Sequence, residues 1–235
     1  MKRADKCLRI RILSVLNDGN QHNSFPHLMQ WDPQEIVDQR IADWRSSVAH
    51  VLDLSRLELS EIPPQVMGPA GKGVPIKKLL LACNKLTSFP VALSESHPEL
   101  QVLELSANSF SEDKHNNEEL LEALSRCKEL TEFSFAEGKL HSPLRLVVCL
   151  SSLPLMTVLD LRKLSLGPNV GKALACISQS MKHLRSLSLD ECGIHGFPSI
   201  LSNLESLEIL DLSFNAMSVV PEDISENILS PHMAY

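Results

Sequence analysis

Aromatic side chains are scarce in this 235-residue chain, where 7 Phe, 2 Trp and 1 Tyr make up 4% of the residues. A core must therefore be built mainly from aliphatic side chains, which a 43% hydrophobic content supplies for a chain long enough to bury one. Positive charge is also in deficit. With 22 Lys plus Arg against 29 Asp plus Glu, the net charge of −7 argues against nucleic acid or an anionic membrane surface as the main partner. The six cysteines, Cys7, Cys83, Cys127, Cys149, Cys176 and Cys192, form no CxxC pair. That spacing excludes a disulfide framework or a zinc knuckle and suits reduced, mostly buried thiols. No hydrophobic run reaches transmembrane length, and Arg9 and Arg11 interrupt the only N-terminal apolar stretch, so neither membrane insertion nor a cleaved signal peptide is expected. A cytoplasmic protein is the consistent expectation. A bacterial effector exported by an uncleaved signal into a host cytoplasm would read the same way. Phosphate loops, HExxH and GxSxG are missing, and Gly68 to Gly73 (GPAGKG) shares only composition with a phosphate loop, because no Ser or Thr follows Lys72.

What the chain has in abundance is one pattern. Leu207, Leu210, Leu212, Asn215, Met217 and Val220-Pro221 align with Ile76, Leu79, Leu81, Asn84, Leu86 and Phe89-Pro90. Further copies run through Leu100, Leu103, Leu105, Asn108 and Phe110, and through Leu130, Phe133, Phe135, Gly138 and Leu140. Two more follow at Met156, Leu159, Leu161, Leu164 and Leu166, and at Leu184, Leu187, Leu189, Cys192 and Ile194, while a weaker first copy holds Ala49, Leu52, Leu54, Leu57, Leu59 and Ile62-Pro63. Seven copies starting at 49, 76, 100, 130, 156, 184 and 207 are spaced by 27, 24, 30, 26, 28 and 23 residues.

This template resembles the leucine-rich repeat family over residues 49 to 221. The resemblance implies an α/β fold: a right-handed solenoid, or horseshoe, of about seven repeats, with a concave parallel sheet and a mixed helical and extended convex side. Elementary physics points the same way. Alternation within x-Leu-x-Leu-x sends the leucines inward and their neighbours outward. A lone repeat cannot bury its apolar face, whereas stacked repeats share one core. The ninth slot of each copy holds Leu57, Asn84, Asn108, Gly138, Leu164, Cys192 and Asn215, so an inward Asn is available to bond turn backbone in three of seven copies. Apolar spacing predicts convex helices over Glu118 to Arg126 and over Lys172 to Lys182.

The ends depart from the repeat. Residues 1–47 are expected to form a helical N-terminal cap, with Leu8, Ile12, Val15 and Leu16 on one helical face and a second helix from Pro33 to about Val48. This region, with the following LDLSRLELSEIPPQV, is similar to the N-terminal cap of leucine-rich repeat effectors of intracellular bacteria. Repeats are expected over 48–221 and a tail or cap over 222–235.

Asp190-Glu191-Cys192-Gly193-Ile194-His195 invites a Cys-His catalytic reading. Slot nine sends Cys192 inward, however, while His195 turns outward, and the neighbouring acids raise rather than lower a thiol pKa. No catalytic residue, metal or cofactor is therefore expected, and the protein is read as no enzyme. The expected function is non-catalytic protein binding through the concave face by a chain that is monomeric on balance. The expected contact residues are Arg56, Lys78, Leu80, Glu104, Glu132, Glu137, Asp160, Arg162, Lys163, Asp190, Glu191 and Phe214. Two alternatives remain beside it: substrate recognition within a ubiquitin-ligase system, with residues 1–47 as the docking segment, and a cysteine-dependent enzyme using Cys192.

Overall fold

The computed structural model of the chain describes residues 9–11, 33–68, 73–110 and 114–217. One all-parallel sheet runs through it. β1 (Arg9–Arg11), β2 (Val51–Asp53), β3 (Lys78–Leu80), β4 (Val102–Glu104), β5 (Glu132–Ser134), β6 (Val158–Asp160), β7 (Ser186–Ser188) and β8 (Ile209–Asp211) pair in the order β1-β8-β7-β6-β5-β4-β3-β2. From β2 to β8 each strand therefore neighbours its successor, as stacking of one repeat on the next requires. Leu52, Leu79, Leu103, Phe133, Leu159, Leu187 and Leu210 share one register position, and each is at most 1% exposed. Fully burying such a side chain stabilises the fold by roughly 2 kcal/mol, so this one column contributes a large share of the cohesion between repeats.

The return segments are covered by helices: α1 (Pro33–Ser46), α2 (Val91–Ser96), α3 (Lys114–Arg126), α4 (Pro143–Ser151) and α5 (Val170–Ser180). Leu120 and Leu124 of α3 and Leu174 and Ile177 of α5 are buried against the same core, matching the apolar spacing of the two segments expected to be helical. α4 is an addition to those expectations. Pro143 at its first turn, followed by the buried Leu146, Val147 and Leu150, is the signal that marks it. The short sixth repeat has room only for a 3-10 helix, Ser199–Asn203.

α1 packs on β2 through the buried Val37, Ile41 and Trp44. From the same helix, Arg40 Nη1 donates to the carbonyls of Asp53 (3.0 Å) and Ser55 (3.2 Å), satisfying backbone at an edge that would otherwise template another strand. The helical expectation is corrected at Arg9–Arg11, which form a strand paired in parallel with β8 at Ile10↔Leu210, while Leu8, Ile12, Val15 and Leu16 lie outside the described residues. The arrangement satisfies the open edge of β8 with backbone hydrogen bonds that a helix there could not supply. Residues 12–32 and 218–235, including the expected C-terminal tail, lie outside the described residues.

A regular backbone device follows each strand from β2 to β8. Arg56, Cys83, Ala107, Glu137, Lys163, Glu191 and Phe214, the residues just before slot nine, all have left-handed φ values between 52° and 62°. None is glycine. Except at Phe214, their N–H groups still reach the next repeat, as in Ala107 to Ala136 O at 2.9 Å and Lys163 to Asp190 O at 2.7 Å. The left-handed step then rotates the chain so that the following side chain enters the core. Each such residue costs about 1 kcal/mol, which the ladder bond and the inward side chain offset.

One buried histidine ties the first two repeats together. His97, 3% exposed, accepts the Ile76 N–H at Nδ1 (3.2 Å), and its Nε2 lies 2.8 Å from Val66 O. With Nδ1 accepting, the ring proton sits on Nε2 and donates to Val66. Burial pushes the His97 pKa below its ordinary value of 6.5, with the Val66 bond opposing that shift. Above about pH 6.5 both folded and unfolded states hold a neutral ring, and the contribution is complete. As the pH falls further, the unfolded chain takes up its proton first and stability declines until the folded ring titrates as well. Tm is accordingly expected to drop more between about pH 7.5 and about pH 5.5 in the wild type than in His97→Gln, measured by calorimetry. Equal drops would show that another group carries the acid sensitivity.

Candidate functional site

The strand residues between the core leucines all emerge on the face of the sheet away from the helices. Two columns run across it: Val51, Lys78, Val102, Glu132, Val158, Ser186 and Ile209, then Asp53, Leu80, Glu104, Ser134, Asp160, Ser188 and Asp211. The strand-ending residues continue it with Arg162, Asp190 and the left-handed Arg56, Glu137, Lys163, Glu191 and Phe214. All twelve residues proposed from sequence lie on this face. Arg56, Glu132, Glu137, Arg162, Lys163, Glu191 and Phe214 are exposed, while Lys78, Leu80, Glu104, Asp160 and Asp190 are half-buried.

The charges are organised by bonds that the one-dimensional pattern does not reveal. Arg162 grips Asp160 through Nε (2.9 Å to Oδ1) and Nη2 (2.8 Å to Oδ2), and Lys163 pairs with Glu137 of the preceding repeat at 2.7 Å. These hydrogen bonds hold the pKa of both cations above the ordinary values. As pairs open to water they contribute only about 0–1 kcal/mol each. The acidic second-column residues also cap their own strand ends: Asp53, Glu104, Asp160 and Asp211 accept from the backbone N–H two residues on. Ser106 Oγ and Ser134 Oγ are 2.6 Å apart, and Ser134 continues to Asp160 Oδ2 at 3.3 Å, linking three strands. Part of the charged strip is thus self-satisfied.

Asp190 is the exception. Its Oδ1 is sealed from solvent without a hydrogen-bond partner. Burial, Asp211 and Glu191 push its pKa up, against the opposing Arg162 and Lys163. It lines a cavity of about 410 Å³ with Glu137, Arg162, Lys163, Glu191 and Phe214, a residue 43% exposed. Apolar surface also emerges at the two ends of the face, at Val51 (38% exposed) and Ile209 (46% exposed). The Ile209 and Phe214 end was legible in the same alternation.

Cys192 and His195 do not meet in a site. Cys192 is 1% exposed and His195 is exposed. The thiol donates to Leu161 O (3.1 Å) and contacts Asp190 O (3.5 Å), and burial pushes its pKa up to about 12. At pH 8 that leaves about one thiolate in ten thousand, which removes the nucleophile a cysteine mechanism requires. Iodoacetamide is expected to modify the exposed Cys83 in the native chain and to reach Cys192 only on unfolding. Peptide mass spectrometry showing comparable native labelling of both would contradict this assignment. Among the described residues, no three His, Cys, Asp or Glu side chains are grouped to hold a metal ion. No helix among them is long and apolar enough to cross a membrane.

Comparison with known proteins adds three findings. No family model matches the chain. An adenylate cyclase from Podospora anserina is 29% identical over 195 residues, which cover 82% of this chain and 8% of that protein. Two solved structures align with 73% of the chain at a TM-score of 0.46: a pollen receptor kinase 3, 21% identical with 77% of that chain covered, and an internalin from Listeria monocytogenes, 15% identical with 47% covered. The reading of the chain as no enzyme is corrected by the first of these likenesses, since the curated relative is named as an enzyme. The chain spans less than a tenth of that relative's length.

Proposed function

We propose that this chain is a protein-recognition module and that the helix-free face is its contact surface. In this reading the sheet is the concave side of a right-handed solenoid of seven repeats over 48–221, capped by residues 1–47 and closed by 222–235. The carrying observation is the register. Seven parallel strands hold their outward side chains at fixed spacing, with acids and bases interspersed and Val51, Ile209 and Phe214 exposed beside them. A rigid array of this kind binds a large partner at low ordering cost, and its charges set specificity and on-rate. Recognition by these residues is compatible with enzymatic activity elsewhere in a longer polypeptide, as the match to a short part of an adenylate cyclase illustrates. The test is affinity capture from a lysate of the native source with quantitative mass spectrometry. The triple variant Lys78→Glu, Glu132→Lys, Glu191→Lys is expected to lose the captured partner about tenfold or more. Lys172→Glu with Gln179→Glu on α5 is expected to keep it. The opposite pattern would sink the proposal.

A further inference from the structure

Towards the carboxyl end of the face, two adjacent acids stand beside cations that are already engaged. Across β6 to β8 its cations are Arg162 and Lys163, and each is already held, by Asp160 and by Glu137. Among the described residues no cation is hydrogen-bonded to the Asp190 or Glu191 side chain, and one oxygen of Asp190 is buried without a donor. Asp211 adds negative charge near Asp190, while its own carboxylate caps Ser213 N. That Asp190 oxygen is sealed from solvent, so a ligand meets the exposed Glu191 and the accessible remainder of the half-buried Asp190.

The surroundings specify which ligand. The cavity of about 410 Å³ that Asp190 and Glu191 line is of ligand-binding size. Phe214, held outward by its left-handed backbone (φ 53°), presents an exposed aromatic ring along the same wall. An aromatic face beside two carboxylates attracts a cation carried on an apolar stem. An anion would meet Glu137, Asp190 and Glu191, and the described residues group no third ligand for a metal ion. Resting on the recognition role above, we propose that this cavity receives an arginine or lysine side chain of the protein partner, with Asp190 and Glu191 as its anionic anchor and Phe214 as the surface its stem or cation lies against. The partner is therefore one with a basic segment.

The experiment uses the full chain and fluorescein-labelled nona-arginine at physiological salt, followed by fluorescence anisotropy, with nona-glutamate as the counter-probe. Asp190→Asn, which keeps shape and removes charge, is expected to weaken nona-arginine binding about tenfold, and Phe214→Ala by a smaller factor, with both variants melting like the wild type. Glu119→Gln, on α3 and off the recognition face, is expected to stay within about twofold. Loss with Glu132→Gln but not with Asp190→Asn would overturn the basic-side-chain cavity while leaving the recognition face standing. Loss only with Glu119→Gln on α3 would overturn both. Absence of nona-arginine binding to the wild type, or equal binding of nona-glutamate, would also overturn the cavity proposal.

Discussion

Gly138→Asn is expected to lower stability by about 3 kcal/mol or more, although it introduces the residue that occupies the same slot at Asn84, Asn108 and Asn215. The reason is space rather than backbone conformation. A Cβ on Gly138 would lie 1.9 Å from Cε1, 2.3 Å from Cδ1 and 2.7 Å from Cζ of Phe135. That ring cannot swing aside cheaply. It is fully buried, stacked on Phe133 with centroids 6.2 Å apart and tilted against Phe110 at 5.1 Å. In the fourth repeat, Phe135 stands where the other copies have leucine, and it fills the volume of the inward Asn. The pair Phe135→Leu, Gly138→Asn is therefore expected to recover much of the loss, a coupling that urea unfolding of the two single variants and the double variant measures. Additive losses would show that the ring and the slot are independent.

Asn84→Ala is expected to cost about 3 kcal/mol for a different reason. Asn84 Oδ1 accepts from Leu57 N and Leu59 N, both at 3.0 Å, and Nδ2 donates to Leu54 O (2.8 Å) and Leu81 O (2.9 Å). The side chain is a bridge from its own turn to the preceding one, and Asn108 and Asn215 repeat the geometry with Leu81 and Leu189. Truncation leaves buried backbone groups of two repeats without partners, which is costlier than losing the same number of exposed bonds. Urea unfolding at neutral pH should show the loss, and a change below about 1 kcal/mol would mean that water replaces the rung without penalty. Cys192 occupies the same rung, its thiol reaching Leu161 O as Asn84 reaches Leu54 O.

These two slots show how far the amino-acid pattern carries. The leucine register, the parallel sheet, α3, α5 and the inward Asn are written in short-range spacing, because one copy can be laid on another. Leu57 is also explicable: the rung reaches back to the preceding repeat, and within the repeat array the first copy has none. The left-handed step before slot nine is not visible, since Arg56, Cys83 and Ala107 have no common chemistry and only the backbone unites them. The fate of Arg9–Arg11 is not visible either. Leu8, Ile10 and Ile12 alternate as in a strand, while Leu8, Ile12, Val15 and Leu16 keep helical spacing, and the unpaired edge of β8 decides between them. On the recognition face, composition shows which residues are charged but not that Lys163 pairs with Glu137 twenty-six positions away. That long-range pairing, with the Arg162–Asp160 pair, engages the two cations beside Asp190 and Glu191.

The most direct measurement is site-specific photo-crosslinking with benzoylphenylalanine placed at one position at a time in cells of the native source. With the probe at Glu132 on β5, in the middle of the helix-free face, covalent adducts to a partner protein are expected. At Gln179 on α5, exposed on the helical side, none are expected. Adducts at Gln179 with none at Glu132 would contradict recognition through the sheet.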